Sequence, residues 1–258
     1  MPHDPETKGD MMSNHTPNMS DDLDLTDVLP ITGNAPWLPP WPGGMNTVGE
    51  ARRALEADAA RHNGSAALTP LQVSEEARAH IETALRLTFP DSVWDDSAAE
   101  TARRVLGYWT EFVPEVAPGF KFTTFEAAKS QLILVGDIEF ASLCAHHLLP
   151  FTGKIHVGYK ANDIQVGLSK IPRLVQFWAK RPQVQEQLTA QILHDLCARL
   201  HTKDVMVVCE ARHTCVSARG TRLHNGRMVT SLPSGLFLSS PPAREEFLSL
   251  LARNGVGV

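Results

Sequence analysis

The sequence lacks any apolar run long enough to cross a lipid bilayer, and its N-terminal segment has no apolar core of the kind found in signal peptides. It also lacks an excess of cations, since 24 Lys and Arg face 29 Asp and Glu for a formal net charge of −5. That balance argues against nucleic acid or an anionic membrane as partner of the whole protein. Only four cysteines are present, and we expect a cytoplasmic protein with thiols that stay free or bind metal.

What the sequence does have is enough apolar material for a core, 43% of its 258 residues. Residues 1–70 differ from the rest, because Pro, Gly, Asn, Asp and Ser dominate them. Such a composition predicts a disordered or weakly structured N-terminal tail. The alternative is an arm that binds a partner through Trp37 and Trp41. Residues 71–258 carry the periodic patterns of a folded domain.

The periodic patterns predict helices and hairpins without strict βαβ alternation. "SEEARAHIETALRLTF" places Ile81, Ala84 and Leu85 on one helical face, and Ser97 with Glu100 has the spacing of a capping box. "SQLILVGDIEF" and "GKIHVGYK" read as strands, and "LSKIPRLVQFWAK" and "VQEQLTAQILHDLCARL" read as helices. We therefore predict an α+β fold with a mostly antiparallel sheet.

The C-terminal third predicts three further elements. "VMVVCEARHTCVSA" reads as one long strand. Asn225-Gly226 is the strongest short hairpin signal in the chain. Pro241 and Pro242 stand where the last helix, "AREEFLSLLAR", would begin.

Cysteine and histidine residues suggest a metal site. Cys144 and His147 are three residues apart, so a turn can aim both at one point. On an extended strand Cys209 and Cys215 would share a face with His213, but Cys209 and Cys215 would lie roughly 20 Å apart, so only one could join the site. Three protein ligands of sulfur and imidazole are typical of catalytic zinc. The alternative is that these are ordinary buried thiols and hydrogen-bonded core histidines. We expect Cys197 and Cys209 to pack in the interior.

Several long motifs occur in register: "CAHHLLPFTGK", "GLSKIPRLVQFWAKRPQVQEQLT", "EARHTCVSARG" and "MVTS" followed by "GLF". Over about residues 75–253 the chain resembles the GTP cyclohydrolase I family. The resemblance implies a tunnelling fold, an antiparallel sheet with helices packed on one face. It also implies that subunit sheets join into barrels, that two pentamers stack into a homodecamer, and that active sites lie between subunits.

The resemblance implies a zinc-dependent hydrolysis of GTP. Cys144, His147 and Cys215 match the family's zinc ligands, and His146 and His213 match its catalytic pair. In the family, water adds at C8 of guanine, C8 leaves as formate, and the product is 7,8-dihydroneopterin triphosphate, the first step of pterin and folate-type (tetrahydrofolate) biosynthesis. We expect His213 to donate to the purine N7 and His146 to handle the proton of the water.

The resemblance also implies how GTP is held. Glu186 matches the family's guanine reader, since a carboxylate accepts both N1–H and the exocyclic amine, and Gln185 is expected to assist. The phosphates need cations and amides, because the sequence contains no P-loop. The residues that match the family's phosphate contacts are Ser169, Lys170, Arg173, Arg219 and Arg104.

Three positions depart from the family pattern: Ala145 replaces a usual Glu, Ala102 a common Pro, and Gly107 a phosphate-facing Lys of some members. The missing Glu at Ala145 puts the reaction rate in question, and the missing Lys at Gly107 puts the binding of the phosphates in question. Two alternatives remain: the same chemistry serving a specialised deazapurine or pterin route, and a catalytically silent, zinc-stabilised assembly protein. A zinc nucleoside deaminase would need His-x-Glu and Cys-x-x-Cys motifs, and the sequence has neither.

Overall fold

The computed structural model describes residues 75–89, 98–113, 121–127 and 131–253. The predicted tail, residues 1–70, lies outside them. The helices are α1 (Glu75–Thr88), α2 (Ala98–Thr110), α3 (Lys170–Ala179), α4 (Gln185–Leu200), α5 (Thr214–Ser217), α6 (Leu236–Ser239) and α7 (Pro241–Arg253). The strands are β1 (Thr124–Glu126), β2 (Gln131–Cys144), β3 (Pro150–Ala161), β4 (Ile164–Val166), β5 (Pro182–Gln183), β6 (Val205–His213) and β7 (Met228–Pro233).

The main sheet has the strand order β5-β2-β3-β6-β7, and β1 pairs with β4 in a small separate sheet. All neighbours are antiparallel except β2 and the two-residue β5. The α+β prediction with a mostly antiparallel sheet is confirmed. Among the described residues, no helix combines the length and apolarity that crossing a membrane requires.

One face of the sheet packs against α3 and α4. Ile155 and Val157 are two positions apart on β3, so both side chains point to this side of the sheet. They are fully buried in one cluster with Leu174 of α3 and Ile192 of α4. These helices form because apolar residues recur at helical spacing, which gives each a stripe to bury. They dock closely enough for the indole of Trp178 to donate to the Asp195 carboxylate at 2.9 Å.

The opposite face of the sheet is covered too, which corrects the expectation of helices on one face only. Met206 and Val208 of β6 point to this side and pack with Phe247 and Leu251 of α7. Gly158 of β3 lies under the Phe247 ring, and a Cβ there would overlap that ring. The C-terminal helix therefore closes the second face.

The predicted starts and ends of elements are right in some places and wrong in others. In α1, Ile81 and Leu85 are half-buried as predicted, but Ala84 is exposed. Helix α2 begins at Ala98, and the capping Ser97 lies outside the described residues. The last helix begins at Pro241 as predicted.

Two strand predictions in the C-terminal third are wrong. The strand predicted over residues 205–218 ends at His213, where α5 begins. Asn225 and Gly226 belong to a turn in which the Gly226 amide donates to the Leu223 carbonyl. No strand ends directly before that turn, so it is not the turn of a hairpin. Strand β6 instead connects to β7 through residues 214–227.

Candidate active site

The first part of the site is the turn that follows β2. The carbonyl of Cys144 accepts the amides of His147 at 3.2 Å and Leu148 at 2.8 Å, so the chain closes tightly after the strand. Leu148 adopts φ +51°, a left-handed conformation that reverses the chain toward β3. Because the turn is this short, both His146 and His147 stay beside Cys144: their Nδ1 atoms lie 4.0 and 3.6 Å from its sulfur.

Cys215 approaches from the far side of β3. Strand β6 ends at His213, and the next residue, Thr214, donates its hydroxyl to the Pro150 carbonyl at 2.6 Å. That bond fixes the start of α5 against the first residue of β3. The helical turn then folds Cys215 back toward the end of β2, with its sulfur 3.9 Å from that of Cys144.

The three predicted ligands therefore meet. The ligand atoms of Cys144, His147 and Cys215 lie within 4.8 Å of one another. Tetrahedral zinc, with Zn–S of about 2.3 Å and Zn–N of about 2.0 Å, would separate two sulfurs by about 3.8 Å and a sulfur from a nitrogen by about 3.5 Å. The observed distances, 3.9 Å between sulfurs and 3.6 Å from Cys144 sulfur to His147 Nδ1, match this geometry, so the residues fit a zinc ion.

The cysteines differ in their surroundings. Burial, together with the Cys144 sulfur, raises the pKa of Cys215, and Arg219 opposes the shift. The Cys144 sulfur thus hinders ionisation of the Cys215 thiol, and a cation between the two sulfurs would relieve that. Cys197 and Cys209 instead lie in the core as predicted, and burial raises the pKa of each to about 12.

His213 lies at the end of β6, beside the metal cluster. Its ring stacks on the buried ring of Phe151, its cross-strand partner, at 4.6 Å between centroids and 2° between planes. Its Nε2 is 2.9 Å from Oε1 of Gln185. Burial lowers the pKa of His213, while the negative charge of Glu186 acts in the opposite direction.

The first turn of α4 supplies two neighbouring residues with opposite surroundings. Glu186 is exposed, so its carboxylate is accessible to a nucleobase. Its negative charge also acts on the pKa of His213. Gln185 is only 1% exposed, and its amide is bonded to protein groups at both ends. In this structure the Gln185 side chain is occupied by protein groups, and its predicted assistance to Glu186 stays a prediction.

The predicted phosphate residues fall into separate places. Arg219 follows α5 and is close enough to Cys215 to influence its pKa. Ser169, Lys170 and Arg173 stand at the N-terminal end of α3. The opposite end of that helix reaches the metal side, where Ser142 donates to the carbonyl of Arg181 at 3.0 Å.

A helix of α3's length spans about 15 Å. Within one chain, Ser169 and Lys170 therefore lie about 15 Å from the end of α3 that is next to the metal turn, and Arg173 lies about one turn nearer. Arg104 is exposed on α2, near Glu100.

A sequence profile of the GTP cyclohydrolase I family matches residues 77–252. This chain belongs to the GTP cyclohydrolase I family. It is similar to the "GTP cyclohydrolase 1" of Campylobacter jejuni subsp. jejuni serotype O:23/36 (strain 81-176), with 53% identity over 127 residues, 49% of this chain and 67% of the relative. It is also similar to that of Sulfurihydrogenibium sp. (strain YO3AOP1), with 45% identity over 177 residues, 66% of this chain and 93% of the relative.

Two of the departures from the GTP cyclohydrolase I pattern, at Ala145 and Gly107, fit the surrounding structure without steric conflict. Ala145 is exposed in the metal turn, where its amide donates to the Gln183 carbonyl at 3.0 Å. The backbone therefore keeps the turn without the usual Glu. At Gly107, a Cβ would meet no atom within 4 Å, so the position could accept a longer side chain.

Sequence reasoning missed two residues that shape the site. Phe151 supports the His213 ring, and Thr214 anchors the helical turn that carries Cys215. Both depend on the register of β3 against β6, which pairs Phe151 with His213. A pairing between residues 62 positions apart in the chain, such as Phe151 and His213, leaves no local pattern to read. Phe151 and Thr214 do lie inside the long motifs.

Proposed function

We propose that this protein hydrolyses GTP, opening the imidazole ring of guanine, releasing C8 as formate and forming 7,8-dihydroneopterin triphosphate. The observation that carries the proposal is the meeting of Cys144, His147 and Cys215 at zinc-compatible distances, with His213 on the adjoining strand end. Membership of the GTP cyclohydrolase I family supports the choice of reaction.

Cys144, His147 and Cys215 would hold the zinc. A zinc ion with an open coordination position supplies Lewis acidity that brings the pKa of water near neutrality. The chain's own residues would do the rest. Exposed Glu186 accepts N1–H and the exocyclic amine of guanine, and it rejects adenine, which offers an acceptor at N1.

Two histidines are placed to move protons. His146 is exposed, beside Cys144, and would take the proton of the attacking water. His213 is half-buried and held by two neighbours, and would deliver a proton to the purine N7. Imidazole suits both steps because it gains and loses a proton near neutral pH.

We further propose that the complete site forms between subunits of a cytoplasmic homo-oligomer, a decamer of two pentamers. The placement of Ser169, Lys170 and Arg173 toward the end of α3 that is remote from the metal turn supports shared sites. Among the described residues, no strand pairs with the outer edge of β7. Val229 on this strand is 54% exposed. Subunit sheets could join there into a barrel.

The test is to incubate the purified protein with GTP and to measure formate and, after oxidation, pterin fluorescence. We expect both in equal amounts, with His213→Ala keeping its zinc but losing most turnover. No formate from zinc-loaded protein would overturn the proposed reaction and would favour the silent assembly protein. Whether the product serves folate-type or specialised synthesis stays a prediction, because the first reaction is the same.

A further inference from the structure

The side chain of Gln185 is surrounded by fixed protein partners. Its Nε2 lies 3.0 Å from the Cys209 carbonyl, 3.1 Å from the Met228 carbonyl and 3.2 Å from the Thr230 hydroxyl. Its Oε1 lies 2.9 Å from Nε2 of His213. A buried amide with this many partners is held in one orientation.

The hydrogens of this network can be assigned one by one. Main-chain carbonyls only accept, so the end of Gln185 that faces Cys209 and Met228 must be the NH₂ group. The Thr189 hydroxyl donates to the main-chain carbonyl of Gln185 at 2.9 Å. The Thr230 hydroxyl, 2.7 Å from that of Thr189, therefore donates to it. Its oxygen shares the two hydrogens of the Gln185 NH₂ group with the Cys209 and Met228 carbonyls.

A flipped amide would turn Oε1 toward two carbonyl oxygens, and such a contact between acceptors is unfavourable in a buried site. Oε1 of Gln185 thus faces His213. Because this oxygen only accepts, the facing Nε2 of His213 must carry a hydrogen. The other ring nitrogen, Nδ1, is then unprotonated in the neutral ring. It faces the bound reactant, and it can deliver a proton to the purine N7 only after it has gained one, in the imidazolium form.

The stacked ring of Phe151 completes the constraint. Parallel contact at 4.6 Å and 2° keeps the imidazole from tilting out of its plane. The hydrogen bond that Nε2–H donates to Oε1 of Gln185 keeps it from rotating within that plane.

We propose that Gln185 is a positioning residue for His213: it fixes the Nε2–H tautomer and points Nδ1 at the substrate. The inference rests on the proposed function and replaces the expected contact of Gln185 with guanine. A catalytic group displaced by about 1 Å can lose about 100-fold in rate, so removal of the acceptor should act on kcat rather than on GTP binding.

The experiment compares Gln185→Leu, Gln185→Glu and the wild type as zinc-loaded full chains. Gln185→Leu removes the acceptor, and we expect kcat to fall about 10- to 100-fold with KM for GTP nearly unchanged. A neutral carboxylic acid at this position can still accept from His213 and donate to a carbonyl, so Gln185→Glu should keep more of kcat than Gln185→Leu. Gln176→Leu is the matched control, because Gln176 also donates to a main-chain carbonyl, at 2.6 Å, but on α3.

The second readout needs no turnover. Ring-¹⁵N solid-state spectra, with His213 assigned by difference from His213→Asn, should show one Nε2–H tautomer in the wild type and a mixture in Gln185→Leu. If GTP is not turned over, the proposed function fails while the spectra still decide the role of Gln185. A raised KM with unchanged kcat, or the same tautomer in Gln185→Leu, would overturn the proposal.

Should Gln185→Leu fail to fold, Thr230→Val takes its place. It removes one anchor of the amide and keeps the acceptor. We expect a smaller fall in kcat and partial tautomer mixing, and no change in either would contradict the proposal.

Discussion

The sulfurs of Cys144 and Cys215 lie 3.9 Å apart although 71 residues separate them in the chain. They stand at the ends of β2 and just beyond β6, the two strands that flank β3. Tight chain reversals after both strands bring the sulfurs together over the start of β3. The pair is thus a product of the sheet order and could not form from either motif alone.

The ligand set predicts how zinc depends on each cysteine. Cys215→Ser should lose nearly all bound zinc, because a hydroxyl is a poor substitute for a thiolate. Cys209→Ser is the matched control and should keep zinc, since Cys209 is fully buried in the core. Elemental analysis of both purified variants measures this. Loss of zinc from Cys209→Ser with retention in Cys215→Ser would show that the ligand set is wrong.

Gly107 predicts weak binding of the phosphates. Nothing lies within 4 Å of a Cβ at this position, so Gly107→Lys can place a second cation near Arg104 on α2. A hydrogen bond to a charged group contributes about 1.5–3 kcal/mol, so KM for GTP should fall about tenfold, with kcat less affected. Gly107→Gln stabilises the helix without adding charge and should leave KM unchanged. Equal KM in all three proteins would mean that another cation already fills this role.

A side chain at position 158 is predicted to disrupt the packing of α7 on the sheet. Any side chain there would meet the ring of Phe247, and overpacking of this kind costs about 1–3 kcal/mol. Gly158→Ala should therefore lower the free energy of unfolding by that amount. Gly107→Ala, at an open helical position, should raise it by up to about 1 kcal/mol. Denaturant unfolding of both variants gives the comparison, and equal stability of Gly158→Ala and wild type would refute the close packing of α7 on the sheet.

His194 predicts a loss of stability in mild acid. It is 7% exposed on α4, and burial lowers its pKa to about 4, against about 6.5 in the unfolded chain. The unfolded state therefore binds a proton first, so stability is full above pH 6.5 and falls as the pH drops toward 4. Between pH 7 and pH 5 the loss is about 2 kcal/mol.

The matched variants are His194→Gln, which should lose that part of the pH dependence, and His80→Gln on the exposed side of α1, which should keep it. Unfolding free energies at the two pH values decide the question. An identical pH dependence in His194→Gln and wild type would show that His194 is not held neutral.

Local patterns predicted the helices that cover the sheet because their apolar residues recur at the helical period. The metal ligands followed from the spacing of Cys144 and His147 and from the family motifs. The end of β6 at His213 could not be read, because "HTCVSA" has no Pro or Gly to break the alternation, and a side-chain bond from Thr214 to Pro150 ends the strand. The same alternation predicts a long strand that carries Cys215, whereas the structure places Cys215 in the helical turn α5.

The coverage of the second face was also beyond the sequence. In "GKIHVGYK", Lys154 and His156 alternate with Ile155 and Val157, a pattern that favours a polar side for the strand. His156 is nevertheless only 1% exposed. Its Nδ1 accepts the amide of Asp137 at 3.1 Å, where β2 has a bulge between Val135 and Ile138. A partner from a bulge and the C-terminal helix make this polar residue internal, and both are tertiary effects.

The distance between the two ends of α3 has a genetic consequence. If the cations of one copy serve the metal of another, a variant lacking Arg173 and a variant lacking His213 are each inactive, but their mixed oligomers contain some sites with both groups intact. Co-expression of Arg173→Ala and His213→Ala should therefore restore measurable GTP turnover, as two defective alleles complement each other. Co-expression of His213→Ala with Cys215→Ser, whose lesions fall in the same half of the site, should restore none.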